Sequence, residues 1–428
     1  MENLKKTMAA LLCAAVAGGC AASPIDPSSH SNTNPGKASS QASSVVDSSQ
    51  GQTDPISATA DELNKLYSFS WNLFARSRTE NENAVFSPFS AWMALGMAAN
   101  GADGKTLKQM EEVLGLSKDQ INTLAKAALN AAAGDDAHTL RLANSIWIRK
   151  EAANSILESY QNLLTADYQA QSYEVDFDEA TEQQVNDWVK AHTDGLIQQM
   201  PIDTSPMTMM VLLNALSFDS AWQEEYKDDQ IAPATFHNQN GSESRVQMMS
   251  SDENQYLHSQ GLHGCMKPYQ EYHYGLSILV PQEDRPLDEV LKEVDGTKLF
   301  QDLKNPTFTT VHAQFPEFTL ASEQSLKKPL ETMGMTLPFQ SEADFSKIST
   351  GQKLSVSEIV QKAKIEVSRT GTRAAAATDV AIAGMALAEE EYTITCDRPF
   401  LYIISDLETG TPVFIGTVED LSGTTSQS

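Results

Sequence analysis

The stretch Thr370–Glu391, TGTRAAAATDVAIAGMALAEEE, constrains this chain most, because it meets two opposed demands. Read as a strand, its alternate residues fall on opposite faces. One face carries Thr372, Ala374, Ala376, Thr378, Val380 and Ile382, all small or apolar. The other carries Arg373, Ala375, Ala377, Asp379, Ala381 and Ala383, and with them both charges that precede Met385. That is the pattern of a half-buried strand. Yet alanine is a poor strand former, and Glu389, Glu390 and Glu391 close the stretch with an acidic run that favours water. A segment that can join a sheet but is not obliged to points to two states.

The rest of the chain sets the bounds. Its 428 residues carry a net charge of −27, which argues against nucleic acid or an anionic membrane surface as a partner. A hydrophobic content of 41% supports a sizeable core. Residues 1–20 read as an export signal: Lys5 and Lys6 start it, and Met8–Gly19 is apolar but shorter than the ~20 residues a bilayer requires. The end of this segment, AGGC, resembles a bacterial lipobox, in which Cys20 becomes the lipidated first residue and anchors the chain to the membrane. A plain secretory signal cut nearby is the alternative. Residues 21–57, rich in Ser, Pro, Asn and Gln, form a disordered tether with a span of ~30–35 Å. Of the four cysteines, Cys13 leaves with the signal and Cys20 is acylated. Cys265 and Cys396 remain, as two buried thiols or as one bridge.

From Ala58 the pattern turns helical, with Leu63, Leu66, Phe69, Leu73 and Phe74 forming a stripe. Val85–Phe86 reads as a short strand. Ser87 or Ser90 caps the helix that follows, with Pro88 in its first turn. Further along, the pattern predicts a strand over 139–148, a helix over 156–166 and an amphipathic helix over 185–201. The apolar run 207–222 reads as a strand buried on both faces. Residues 231–320 read as short strands and turns, 354–368 as one long strand, and 397–418 as a hairpin around Glu408–Gly410. The mix is α+β with mostly antiparallel strands in one large domain over 58–421, followed by a polar tail, 422–428.

Enzyme chemistry is poorly represented. Ser325-Leu326-Lys327-Lys328 fits a Ser-x-x-Lys pattern, but its companion elements are missing, and a helix start with exposed lysines accounts for it. His258, His263, Cys265 and His273 fall close together at a spacing that matches no metal-ligand frame. No elbow, zinc helix, phosphate loop or dinucleotide fingerprint is present, and no metal or cofactor is implied.

Other motifs are specific as a series. FSPFSAWMALGMAANGADGKT, LANSIWI, VNDWVKAHTDG, MVLLNALSFDSAW, VQMM, LKKPLETMGM…ADFS, VSEIVQKAKIEV and DRPFLYIISDLETGTPVFIG follow one another in the order and register of the serpin family. The stretch at 370–391 resembles that family's reactive loop. The resemblance implies three mostly antiparallel sheets, eight or nine helices and an exposed reactive-centre loop. It implies no enzyme but a monomeric suicide inhibitor of serine proteases, which forms a covalent acyl complex and then inserts its cleaved loop into a sheet. The uncleaved state is then metastable, held by a barrier.

By the same resemblance, Gly371 to Thr378 form the hinge, with small residues Thr372, Ala374 and Ala376 on its inward face, and the family spacing puts the cleaved bond at Met385–Ala386, with Ala383 and Leu387 as neighbouring alternatives. An unbranched apolar Met suits elastase-, chymotrypsin- or subtilisin-like pockets. Trp222 matches a tryptophan at the top of the opening sheet, and Ser87, Ser90 and Asn214 match a polar cluster beneath it. There are departures. Arg369 and Thr370 replace the usual acids before the hinge, and Arg373 replaces a usual Glu, so the family's salt bridges at the sheet top cannot form in the same sense. Gln361 stands where His is common, which removes a titratable group from the polar cluster. Insertion rates measured by stopped flow are therefore expected to lack a histidine-like step between pH 5 and 8; such a step would refute this.

Overall fold

The first helix, Ala60–Ser77, starts where Thr59 and Glu62 form a reciprocal capping box, and it buries Leu66, Phe69, Leu73 and Phe74. In this computed structural model, residues 58–133, 140–205, 208–282, 285–349, 351, 353–356, 359–372 and 391–423 are described. Cys20, Arg373–Thr378, Met385 and Ala386 lie outside them. The described residues include ten α-helices, one of them the single turn Lys150–Ala153. Helix Pro88–Gly101 is buried all round except at Ala94 and runs through the centre of the core. Ser87 caps it as expected, accepting from Ser90 N at 3.2 Å.

Three sheets surround that helix. The largest runs in the order β1 (Ala84–Phe86), β16 (Pro412–Val418), β15 (Phe400–Asp406), β9 (Tyr274–Pro281), β8 (Leu262–Pro268), β7 (Glu243–Ser259), β10 (Thr307–Pro316), β14 (Glu391–Thr395), with β6 (Ile231–His237) also on β7. A second has the order β11 (Phe318–Ser325), β12 (Val360–Ser368), β13 (Gly371–Thr372), β5 (Ser220–Ala221). The third has β3 (Gln171–Val175), β2 (Leu140–Arg149) and β4 (Met210–Phe218). Only β2–β3 and β10–β14 pair in parallel.

β4 and β5 are separated by Asp219 alone, so the second and third sheets meet along one line. At its top the two-residue β13 bridges β12 and β5. Below it β4 and β12 border a cavity of about 500 Å³. Met210, Leu212, Asn214 and Leu216 line one side, and Ile359, Gln361 and Ala363 line the other. Below β13, each strand thus has one edge with no strand beside it among the described residues. On the outer face of the third sheet, helix Glu179–His192 packs Val185, Trp188 and Val189 onto Trp147, Leu213 and Ala215.

Several local differences from the sequence pattern have physical causes. The strand expected from 354 begins only at Val360, where its partner β11 ends with Ser325 opposite Val360. The run 207–222 forms β4 and β5, but Met210, Val211 and Leu212 are only half-buried because one edge faces the cavity. The helix expected over 185–201 spans 179–192 instead. Asp178 caps its start, and Asp194 and Gly195 turn the chain at φ 48° and 69°, well before Pro201. Helices Leu287–Glu293 and Gly296–Leu303 occupy a region expected to hold only strands and turns. The cap at Asp295, accepting from Lys298 N at 2.9 Å, is the signal that marked the second of them. Cys265 and Cys396 are both free and buried, and burial pushes both thiols up in pKa.

Candidate functional site

The site is the line where β12 and β4 face each other, and its upper end is built around Trp222. This ring is 1% exposed. Its Nε1 donates to Ser368 O at 2.8 Å, and its backbone N–H donates to Thr370 O at 3.0 Å. Tyr226 N–H donates to Arg369 O at 3.0 Å, so segment 222–226 grips the turn between β12 and β13. After that turn Gly371 has φ 152°, a conformation open to glycine and rare for residues with a Cβ. Thr372 follows, 2% exposed, and shares a hydrogen bond with Tyr269 Oη, whose ring stacks on Trp222 at 4.5 Å. The hinge therefore starts inside the sheet.

The charged groups at this end were not foreseen. Arg369 accounts for the first departure noted above: its N–H and Nε both reach Glu317 Oε1, at 3.0 and 3.4 Å, and its Nη1 reaches Asp228 at 3.0 Å. The ion pair is present with its sign reversed. Lys267 lies behind Trp222, 4% exposed at its side chain, bonded to the 8%-exposed Glu253 at 2.8 Å. Its Nζ stands 4.5 Å from the Tyr226 ring centroid and 5.6 Å from that of Trp222. Ser251 connects Glu253 to Tyr226 Oη. No local sequence signal marks this pair, since its members lie on different strands.

Halfway down, the structure brings together Ser87, Ser90, Asn214 and Gln361. The Gln361 amide forks onto the backbone of one residue: Ser87 N–H donates to its Oε1 at 3.0 Å, and its Nε2 donates to Ser87 O at 2.7 Å. Ser87 Oγ donates to Val413 O at 2.8 Å. Across the cavity Ser90 Oγ donates to Asn214 Oδ1, and Asn214 Nδ2 donates to Asn144 Oδ1 at 2.8 Å. Asn144, which the sequence did not single out, continues to Tyr168 O at 2.7 Å. Gln361 belongs to the β12 side and Asn214 to the β4 side, and each is satisfied on its own side. None of these side chains titrates near neutrality.

Beyond residue 390 the chain rejoins the large sheet as its edge strand β14. Tyr392 stacks on Tyr256 at 3.8 Å. His312 on β10 sits between Asp252, at 2.6 Å, and Glu391, at 3.6 Å, and the hydrogen bond that its Nδ1 donates to Asp252 raises its pKa. The other residues singled out lie elsewhere. Ser325 ends β11, His258 faces His263 across β7 and β8, and His273 is exposed.

A family model for serpins, serine protease inhibitors, matches residues 64–421. The chain belongs to the serpin family. It is 32% identical over 378 residues to an uncharacterised serpin-like protein of Thermococcus kodakarensis, covering 86% of each. It is 30% identical to Iripin-5 of Ixodes ricinus, covering 79% of this chain and 89% of that one. Among solved structures it is similar to the thermophilic serpin tengpin in its native state, at a TM-score of 0.78 and 32% identity over 86% of this chain and 96% of that one. The three sheets are thus a serpin fold, and the family's members are mostly protease inhibitors.

The buried Lys267–Glu253 pair yields a stability test for this serpin. Removing one charge strands the other, at a cost of about 3–5 kcal/mol. Urea unfolding should show that loss for Lys267→Met and for Glu253→Gln alone, and a smaller one for the double variant. A double loss equal to the sum of the single ones would show that the pair is not coupled.

Proposed function

We propose that this serpin is a suicide inhibitor of serine proteases with elastase-, chymotrypsin- or subtilisin-like pockets, baited at Met385–Ala386. The observation that carries the reading is the register of β13. Gly371 stands opposite Ser368 and Ala221, and Thr372 opposite Val367 and Ser220, antiparallel on both sides. An unbroken register gives the inserted strand its neighbours. Ala374 falls between Ile365 and Phe218, and Ala376 between Ala363 and Leu216. Thr378 falls between Gln361 and Asn214, and Val380 between Ile359 and Leu212. The cavity therefore has a matched occupant in the chain itself. Small side chains fall where β12 presents its buried face, and a hydroxyl falls where the polar cluster lies.

The protease supplies the chemistry. Its serine Oγ bonds to the Met385 carbonyl carbon, the Met385–Ala386 bond breaks, and Ala386 leaves as a free amine. The freed strand then moves into the slot with the acyl-enzyme attached, before water hydrolyses the ester. Inserting on the order of ten residues with backbone bonds to both sides, each worth roughly 1 kcal/mol net, supplies on the order of 10 kcal/mol. Lipidation at Cys20 and a tether over 21–57 would hold the inhibitor at a bacterial surface.

The same register accounts for Arg373, which would face outward between Glu366 and Asp219. Directly opposed unlike charges contribute about 0.2–1 kcal/mol each, so this arginine suits insertion in this chain.

Two measurements test the reading. Mixed with elastase and run on a denaturing gel, the protein should give a complex that survives denaturation. Cleavage near Met385 without any complex would mean that the loop is only a substrate or binding surface. Ala376→Arg, which alters no described contact, should convert inhibition into turnover. Charge reversal at the outward position, Arg373→Glu, should raise the fraction of loop turned over, and Glu366→Lys with Asp219→Lys should recover it. An Arg373→Glu variant as efficient as the parent would remove the paired-charge argument.

A further inference from the structure

Away from the slot, two carboxylates share one guanidinium in the core. Arg78 follows the first helix, with its side chain 6% exposed. One of its nitrogens, Nη2, bonds both Asp288 Oδ1 and, at 3.2 Å, Glu419 Oε1. The two acids are unequally supported. Asp288 lies in the first turn of helix Leu287–Glu293, where the helix dipole favours a negative charge, and its Oδ2 also accepts from Asn81 N–H at 2.8 Å. Glu419, just past β16, has a side chain 0% exposed. Its Oε2 has no hydrogen-bond partner among the described residues, and neither does Arg78 Nε. Its backbone is tied down on both sides, to Asn83 Oδ1 at 2.7 Å and Gln239 N–H at 2.8 Å, so the carboxylate cannot leave without moving the chain. The charged groups that face it are Arg78 and Asp288. The nearby Lys292–Glu80 pair is exposed, and Asp420 points to Asn240.

One cation cannot neutralise two buried carboxylates, and an unsolvated carboxylate oxygen is costly. The group with less support gives way. We propose that Glu419 is a built-in proton switch: the fold accommodates its neutral carboxyl and is destabilised when the proton leaves. Burial first, and repulsion from Asp288 second, push its pKa up from 4.5 to about 7, against the attraction of Arg78. The sign follows from linkage. Below the usual carboxylate range the group is neutral in both the folded and unfolded chain. As pH rises from 4.5 towards 7, the unfolded chain releases this proton while the fold retains it, so folding becomes progressively less favourable. The loss is complete above about 7. At tenfold per pH unit, it amounts to a factor on the order of 100 in the unfolding equilibrium. This conclusion is independent of any protease.

The test is urea unfolding of the full chain from pH 5 to pH 8.5. Glu419→Gln carries a neutral group of the same shape. Its stability relative to the parent should rise on the order of 100-fold in the unfolding equilibrium between pH 5 and pH 8.5. Titration of His312 is common to both proteins and cancels in the comparison. Asp288→Asn, which removes the repelling charge, should move the parent's loss to lower pH. Parallel curves for parent and Glu419→Gln would overturn the proposal. Should the variant not fold, infrared spectra of the parent decide: a protonated carboxyl band present at pH 6 and absent at pH 8.5 supports it, and no such band at pH 6 overturns it.

Discussion

The architecture depends on backbone hydrogen bonds that, below β13, β4 and β12 do not make to any strand among the described residues. Each has a satisfied edge, β4 on β2 and β12 on β11, and each turns its other edge to a common cavity. Elsewhere in globular proteins such edges are blunted by charge, proline or a covering element. Here they face each other across the width of one strand, in the middle of what would otherwise be one continuous sheet. Among the described residues, Gly371 and Thr372 alone span the gap. The depth of the core, the central helix and the outer helix 179–192 all serve to hold two sheet halves in position while that gap stays open.

An open gap lined by apolar and polar atoms would collapse unless each side were complete in itself. The polar cluster achieves this through geometry. An amide has a donor and an acceptor side by side, and Gln361 applies both to the backbone N–H and C=O of Ser87. A histidine carries its donor and its acceptor on ring nitrogens that point apart, so it does not fork onto one residue in this way, and it would add a charge at low pH. Asn214 is likewise occupied by Ser90 and Asn144. With both sides satisfied, neither pulls the other across the cavity. The same arrangement makes the cluster insensitive to proton concentration, and the pH response of the molecule rests instead with groups far from the slot, such as Glu419.

Local pattern carried much of this. The hairpin at 397–418 has apolar strands 400–406 and 412–418, and Gly410 at φ 75° turns between them. Ser87 before Pro88 marked the central helix, and the motif series gave the fold. What the sequence could not show depends on partners distant in the chain. Arg369 and Glu317 lie 52 residues apart, and Arg78 and Glu419 lie 341 apart. No periodicity encodes such pairs. Strand ends fail for the same reason: β12 begins at Val360 because its partner β11 ends at Ser325, which no local pattern shows. The two helices in 287–303 are short, seven and eight residues, so their period competes poorly with the β-branched stretches around them.

The basic residues around the hinge then read as one change and not as separate departures. Arg369 meets Glu317 and Asp228 on the turn that begins the hinge. On insertion in that same register, Arg373 would meet Glu366 and Asp219, one residue beyond Thr372. In both places the hinge carries the positive charge and the sheet body the negative, the reverse of the family's usual sense. A single inversion of this kind would strand like charges, because an arginine placed in a basic sheet top is repelled. A joint inversion keeps the attraction while suiting a chain with a net charge of −27, where carboxylates are plentiful and positive groups are few. What is preserved is the pairing between hinge and sheet, and the sign is free to change so long as both sides change together.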